Sequence, residues 1–220
     1  SYLYREPEGE KIVFKGGTAL RLAYSSPRVS EDLDFSTALA PAEVKAVISK
    51  VFLKLAREVS GLEIKFTYAG RKSLRYRLLY SGGEFKFPLP LRLDFTFEAP
   101  ILKTAGITLS TLYPLHFFPL ATVFSLEEIL AEKIRALIMR GQGRDVFDLW
   151  FLLDRGIKLD KRLIQQKFNL VGRKYSPSLL SRSLAEFTPR DLSLDLDPFL
   201  PRGYRSLSGS LLEKVLHFIE

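Results

Sequence analysis

Residues Lys11–Phe35 read KIVFKGGTALRLAYSSPRVSEDLDF, and this stretch contains the first succession of secondary-structure signals in the chain. Lys11–Phe14 has the apolar character of a short strand, Gly16-Gly17 is typical of a turn, and Thr18–Tyr24 has helical spacing. After a loop, polar and apolar residues alternate over Asp32–Phe35, as in a half-buried strand. The stretch therefore predicts a strand, a glycine turn, a helix and a second strand.

Carboxylates occupy the polar positions of two predicted strands. Asp32 and Asp34 are two residues apart and project from the same face of a strand. Such neighbours repel each other, and a divalent cation is a common reason to keep them together, although a solvated strand end is the plain alternative. Asp94 lies on the polar face of the strand Leu91–Phe97. If the strands are neighbours, three carboxylates converge, as in metal sites for phosphoryl displacement; otherwise Asp94 pairs with Arg92 or faces water.

The turn Lys15-Gly16-Gly17-Thr18 is a candidate anion site. Backbone N–H groups at the start of a helix attract phosphate, and the Thr18 hydroxyl adds a donor. The spacing of the phosphate loop of nucleoside triphosphatases is absent. A glycine turn is often only structural, but its position 14 residues ahead of Asp32 favours a role in nucleotide binding.

The composition shifts near residue 120, from short strand-like runs to helical periodicity. This predicts a first domain over residues 1–120 and a helical region over residues 121–220. The clearest helices after this point begin near Leu126 and Arg144. Further helices are expected over 160–169, 177–187 and 208–219, whereas Pro189–Tyr204 contains three prolines and is expected to be irregular.

Charged residues also fall on the apolar faces of these helices. Lys133 lies within an apolar stripe, so its ammonium group needs an anion, which could be a triphosphate or a carboxylate such as Asp148. Asp145 and Asp148 share one face of a helix that is apolar nearly all round. Structural pairing with Lys133, Arg135 or Arg144 and a catalytic role fit this pattern equally well.

The net charge is +8, from 33 basic and 25 acidic residues. This charge serves solubility, but it also favours a polyanionic partner such as RNA or a nucleotide. The basic residues gather in two stretches: Arg71, Lys72, Arg75 and Arg77 in the first, and Lys158, Lys161, Arg162, Lys167, Arg173 and Lys174 in the second. Both stretches are candidate contacts for nucleic acid.

The composition limits the kind of metal site. Without cysteine there are no disulfides and no thiolate zinc sites, and the two histidines, His116 and His217, lack a metal-ligand spacing. A metal is therefore expected to be Mg²⁺ or Mn²⁺ held by oxygen. No apolar run is long enough to cross a bilayer, and a cytoplasmic location is the default expectation.

Taken together, these motifs are similar to those of a known family. Phe14–Leu20 (FKGGTAL) with Arg28–Phe35 (RVSEDLDF) resembles the start of the AbiEii/AbiGii toxin family of nucleotidyltransferases. Glu132-Lys133 followed by Arg144–Leu149 (RDVFDL) resembles the later motifs of that family. The resemblance spans roughly residues 12–154, and the residues beyond it carry no motif that can be matched.

This resemblance implies an α/β fold: a mixed sheet with helices like that of DNA polymerase β nucleotidyltransferases, followed by a helical C-terminal region. It implies that Asp32, Asp34 and Asp94 bind metal, with Asp94 also a possible base. Lys133 and Asp145 would join them as catalytic residues. The implied nucleotide-binding residues are Lys15, Gly16, Gly17, Thr18, Arg28, Ser30, Lys133 and Asp148.

Members of the family act as toxins of toxin–antitoxin or phage-abortive systems, and some add nucleotides to the 3′ end of transfer RNA. The resemblance thus implies metal-dependent transfer of a nucleoside monophosphate from an NTP to a hydroxyl, with RNA the expected acceptor and an antitoxin a possible partner. Transfer to a small-molecule or protein hydroxyl, and a non-catalytic binding module with a relic site, are the alternatives. Because the family usually has a helical segment before the first strand, residues are expected to be missing before Ser1.

Overall fold

The computed structural model describes residues 1–83, 85–97, 100–111 and 118–219, so His116 lies outside the described residues. The chain divides into two compact units, one of residues 1–25 with 30–124 and the other of residues 26–29 with 125–220. The predicted boundary after residue 120 falls inside a strand, Leu120–Phe124, that belongs to the first unit. The short segment 26–29 groups with the second unit, which the sequence pattern does not indicate.

The first unit is built on one mixed sheet. Its strands are β1 (Ile12–Lys15), β2 (Asp32–Thr37), β3 (Leu62–Ala69), β4 (Ser73–Tyr80), β5 (Leu89–Thr96), β6 (Thr104–Thr108) and β7 (Leu120–Phe124). Their order across the sheet is β3-β4-β5-β2-β1-β7-β6. Strand β2 runs antiparallel to β1 and parallel to β5. The helices of this unit are α1 (Gly16–Tyr24) and α2 (Pro41–Glu58), and short 3-10 turns cover Leu3–Arg5 and Pro7–Lys11.

One face of this sheet is apolar and carries the core. Phe14, Phe35 and Phe95 stack across β1, β2 and β5, with ring centroids 5.3 and 5.0 Å apart. Val44 and Ile48 of α2 are buried in the same cluster, because apolar residues recur along the helix at a spacing that lines one side. Since side chains alternate along a strand, the charged residues of β1, β2, β4 and β5 lie on the opposite face.

The elements predicted from Lys11–Phe35 are confirmed as β1, α1 and β2. Helix α1 begins two residues earlier than predicted, at Gly16, whose φ of 78° turns the chain directly from strand into helix. The sequence pattern gives no prediction for β6 and β7. Both are only five residues long, and β6 contains Gly106, which weakens a strand signal.

The second unit is helical, which confirms the predicted C-terminal region. Its helices are α3 (Leu126–Arg140), α4 (Gly143–Asp154), α5 (Lys161–Asn169), α6 (Pro177–Ala185), α7 (Pro189–Leu196) and α8 (Leu211–Ile219), with 3-10 turns at Asp197–Phe199 and Arg202–Gly209. Helix α3 begins where the Ser125 hydroxyl oxygen accepts a hydrogen bond from the Glu128 N–H, at 3.3 Å. Across the residues described, no helix has both the length and the hydrophobicity that crossing a bilayer requires.

The prediction that Pro189–Tyr204 is irregular is wrong, because the segment begins with α7. The Thr188 hydroxyl accepts a hydrogen bond from the Asp191 N–H, and the Asp191 carboxylate accepts one from the Thr188 N–H. The proline at the first helical position has no N–H to lose from the helix. Leu192 and Leu196, one turn apart, are fully buried and anchor the helix.

Lys167, which the sequence pattern groups with a basic surface, is fully buried instead. Its ammonium nitrogen lies 2.5 Å from Glu128 Oε1 and 3.5 Å from Glu132 Oε1. A buried ammonium group needs such partners, since leaving it unpaired is strongly destabilising. This lysine therefore joins α5 to α3 and contributes nothing to a nucleic-acid surface.

Candidate active site

The carboxylates of two strands lie side by side on the polar face of the sheet. Asp34 of β2 is the register partner of Asp94 of β5, and Asp32 is the register partner of Arg92. Register partners on neighbouring strands project to the same side, so all three carboxylates share one face. The two strands are therefore neighbours, which is the condition that the sequence pattern left open. The side chains of Asp32 and Asp94 are 27% and 17% exposed, so solvent ions can reach them.

Two arginines pair with these carboxylates. The Arg92 guanidinium donates to Asp32, and its Nε lies 3.0 Å from Asp94 Oδ2. The Nε of Arg75 donates to the other oxygen of Asp94. The pairing of Asp94 with Arg92, one of the alternatives from sequence, thus coexists with the carboxylate cluster. Arg75 was not among the predicted site residues. It lies between two buried residues of β4, and this alternation places its side chain on the polar face of the sheet.

The donor chemistry decides whether these residues suit a metal ion. Within the part of the chain that the structure describes, no three acidic or histidine side chains have the spacing of a metal centre. Arg92 and Arg75 hold carboxylate oxygens of Asp32 and Asp94. Carboxylate oxygens are nevertheless the donors that Mg²⁺ and Mn²⁺ prefer, and three of these groups share one face of adjacent strands. The donor chemistry of these carboxylates therefore suits a divalent cation, while in this structure Arg92 and Arg75 hold oxygens of Asp32 and Asp94.

The glycine turn lies directly against this cluster. Lys15 is the register partner of Asp34, and its Nζ lies 3.5 Å from Thr96 Oγ1. A Cβ added to Gly16 would collide with Asp34 Oδ2, so the bare backbone is what lets the turn approach the carboxylate. The Thr18 hydroxyl donates to the backbone carbonyl of Asp32. That bond ties the start of α1 to the strand that carries the paired aspartates.

Replacing Gly16 with alanine is expected to destabilise the first unit and to disturb Asp34. The alanine would have to hold a φ of 78° and fit its Cβ against the carboxylate, a strain of about 1–3 kcal/mol. Thermal unfolding followed by circular dichroism measures the loss. Gly83→Ala is the matched control, because a Cβ there meets nothing within 4 Å. Equal midpoints for the two variants would show that the turn is not constrained as described.

A second group of predicted residues forms a buried ion network in the second unit. Arg28 Nε and Nη2 each lie 2.8 Å from one oxygen of Asp148. Lys133 Nζ lies 2.6 Å from Asp148 Oδ2 and 3.3 Å from Asp145 Oδ1. The half-exposed Arg140 donates two hydrogen bonds of 2.8 Å to Asp145. The ammonium group of Lys133 therefore has carboxylate partners within the fold, and its catalytic role stays a prediction.

The charges of this network stabilise one another. Burial alone would raise the pKa of Asp148, but Lys133 and Arg28 outweigh it and lower this pKa from 3.8 to about 2. Burial would lower the pKa of Lys133, yet Asp148 and Asp145 raise it. Because the folded pKa of Asp148 lies below its unfolded value, the pairing contributes stability above a pH of about 4 and loses it as the pH falls towards 2.

Two further residues predicted to bind the nucleotide are Arg28 and Ser30, and Arg144 is a predicted partner of the carboxylates. Arg28, besides its bonds to Asp148, donates to the Val29 carbonyl at 2.8 Å. Ser30 lies in the loop before β2, in the first unit. Arg144, considered as a partner for the carboxylates of α4, has its guanidinium carbon 5.2 Å from the centroid of the Phe199 ring instead. The pairing of Arg28 with Asp148 joins residues 120 positions apart and leaves no local sequence signal.

Comparison with known proteins identifies relatives of the whole chain. The model of a family described as nucleotidyl transferase AbiEii toxin, type IV TA system, matches residues 1–216. An uncharacterized protein of Aquifex aeolicus (strain VF5) is 26% identical over 189 residues, which cover 84% of this chain and 78% of that protein.

Solved structures share the fold. MenT4, a nucleotidyltransferase toxin from Mycobacterium tuberculosis H37Rv, aligns with a TM-score of 0.61 and 20% identity, over 98% of this chain and 80% of that one. JHP933 from Helicobacter pylori aligns with a TM-score of 0.55 and 19% identity, over 99% and 89% of the two chains. The predicted mixed α/β fold is thereby confirmed. Since the family model covers nearly every residue, the chain belongs to the AbiEii family of nucleotidyltransferase toxins of type IV toxin–antitoxin systems.

Proposed function

We propose that the carboxylate site transfers a nucleoside monophosphate from an NTP to the 3′ hydroxyl of an RNA, with transfer RNA the expected acceptor. Nucleotidyltransferase activity, an NTP substrate and an antitoxin partner follow from membership of the family. The observation that supports the site is the register of Asp34 beside Asp94, which brings carboxylates from two strands to one place. The net charge of +8 supports a polyanionic acceptor.

The proposed reaction needs a base and a positioned hydroxyl. Asp94 accepts the proton of the acceptor hydroxyl, whose oxygen attacks the α-phosphorus of the NTP. The bond from the α-phosphorus to the bridging oxygen breaks, and pyrophosphate leaves with that electron pair. Mg²⁺ or Mn²⁺ held by Asp32, Asp34 and Asp94 would neutralise the charge that develops on the phosphoryl oxygens. The residues otherwise act by orienting the two substrates.

The triphosphate is assigned to the glycine turn. Backbone N–H groups of Gly17 and Thr18 open α1, where the helix dipole attracts anions, and Lys15 precedes them on the same face as Asp34. The close approach of Gly16 to Asp34 supports this assignment, since it brings the turn to the proposed metal. The assignments of Arg28, Ser30, Lys133 and Asp148 to the nucleotide, and of Lys133 and Asp145 to catalysis, remain predictions from the resemblance.

Incubation of the full chain with each radiolabelled NTP, Mg²⁺ and total RNA tests the proposal. We expect the wild type to label RNA at its 3′ end and the Asp32→Ala/Asp34→Ala variant to leave it unlabelled. Equal labelling by both proteins would refute the assignment of the site. Label on a protein or a small molecule, with none on RNA, would refute the acceptor and favour the alternative hydroxyl substrates.

A further inference from the structure

The charged face of the sheet continues beyond the carboxylates. Arg92, Arg77 and Lys65 occupy successive register positions on β5, β4 and β3, in line with Asp32 on β2. Lateral neighbours project to the same side, so these three cations form a row that leads from Asp32 to the edge strand. We call it the basic row. With strands about 4.8 Å apart, the three steps from β2 to β3 cover about 14 Å.

The charges of the basic row are only partly compensated. Arg92 pairs with Asp32 and Asp94, and Lys65 lies 3.3 Å from Glu63, with both of these last side chains more than half exposed. Arg77 is exposed, and no carboxylate among the described residues forms an ion pair with it. Such a row attracts polyanions, and its exposed groups can exchange partners at little cost.

An aromatic ring stands beside the row. Tyr68 on β3 is the register partner of Arg75, whose guanidinium carbon lies 5.9 Å from the centroid of the Tyr68 ring. A Cβ at Gly70 would lie 2.8 Å from Cζ of the ring, so the glycine leaves room for it. Tyr68 is 49% exposed. Single-stranded nucleic acids stack their bases on exposed aromatic rings that lie among cations.

We propose that the basic row and Tyr68 form the entry track of a single-stranded RNA acceptor, an inference that rests on the proposed function. In the strand order the nucleotide turn follows β1, on one side of the carboxylates, and the basic row lies on the other side. The acceptor therefore approaches Asp94 from β4. At about 3.4 Å per stacked nucleotide, the path of about 14 Å from Asp32 to Lys65 corresponds to about four nucleotides. Lys65 and Arg77 contact phosphates, and one base stacks on Tyr68.

Fluorescence anisotropy with a labelled single-stranded RNA and the full chain, over a series of salt concentrations, tests the track. For the Lys65→Ala/Arg77→Ala variant, the slope of log K against log salt should become shallower by about 1.4, since each phosphate contact to a single strand contributes about 0.7. Tyr68→Ala should weaken binding roughly fivefold to 150-fold with the slope unchanged, because it removes stacking alone. Tyr68→Phe should retain the wild-type affinity.

The control removes the same charge elsewhere. Arg182→Ala/Lys214→Ala changes one exposed arginine and one exposed lysine of the second unit, outside both basic stretches, and should leave the slope as in the wild type. Calorimetry should show unchanged binding of Mg²⁺ with NTP in every variant. A wild-type slope for Lys65→Ala/Arg77→Ala, or an equal loss in the control, would overturn the track. Lost NTP binding would overturn it as well. The proposed function is tested separately by the labelling of RNA by the wild type. This labelling would still be observed if only the track were wrong.

Discussion

Replacing Asp34 with asparagine is expected to slow nucleotidyl transfer by about 10³-fold, the largest effect on activity expected from a single substitution. Asp34 contacts the glycine turn and is the register partner of Asp94, so it joins the proposed triphosphate and metal positions. A bound cation stabilises transition-state charge by several kcal/mol, and each 1.36 kcal/mol corresponds to a tenfold change in rate. The rate of label transfer to RNA at saturating NTP measures the effect.

Glu31→Gln is the matched control for Asp34→Asn. Glu31 is exposed and lies one residue before β2, so its substitution removes the same charge beside the site without removing a proposed ligand. We expect its transfer rate to stay within about twofold of the wild type, as is usual for exposed positions. Circular dichroism should show both variants folded. Wild-type activity in folded Asp34→Asn would remove this carboxylate from the mechanism.

Replacing Arg28 with alanine is expected to lower the free energy of unfolding of the second unit by about 3–5 kcal/mol. Arg28 is 3% exposed and forms two bonds to the fully buried Asp148, so its loss leaves Lys133 as the one ion-pair partner of that carboxylate among the described residues. A large part of the stability of a typical domain would be lost. Urea denaturation followed by fluorescence of Trp150, the only tryptophan, reports on this unit because Trp150 lies in α4 with Asp148.

Two further variants test whether the loss of stability comes from leaving the buried Asp148 carboxylate without Arg28. Arg140→Ala should destabilise by less than about 1 kcal/mol, since Arg140 is 52% exposed and solvent screens its pairing with Asp145. Arg28→Met/Asp148→Leu should recover part of the loss, because removing both charges leaves no unpaired carboxylate, although Lys133 then keeps only Asp145. An Arg28→Ala midpoint equal to that of the wild type would contradict the network described above.

Local pattern was enough to predict the elements that build the site. Alternation placed Asp32 and Asp34 on one face and Asp94 on the polar side of its strand, and the glycine turn marked the start of α1. That β2 and β5 are neighbours could only be a hypothesis, because pairing between strands separated by α2, β3 and β4 depends on the whole sheet. The register of Asp34 with Asp94 is a product of that tertiary pairing.

Predictions from the sequence pattern were wrong where tertiary contacts outweigh local signals. Three prolines suggested an irregular segment after Thr188, but capping and two buried leucines make its first part helical. The sequence pattern grouped Lys167 with the surface cations, and only its contacts with Glu128 and Glu132 show that it is buried. The nucleotide-binding role of Arg28 stays a prediction, and its bonds to Asp148 join residues too far apart in the chain for any periodicity to indicate them.

Titration of Mn²⁺ by calorimetry, with the wild type, Asp34→Asn and Asp94→Asn compared, tests most directly whether carboxylates from two strands form one cation site. The structure predicts that the wild type binds Mn²⁺ and that each substitution, on β2 or on β5, weakens the same binding event by at least about tenfold. Glu31→Gln should bind as the wild type does. Wild-type Mn²⁺ affinity in Asp94→Asn, with binding lost in Asp34→Asn, would show that the two strands do not share a site.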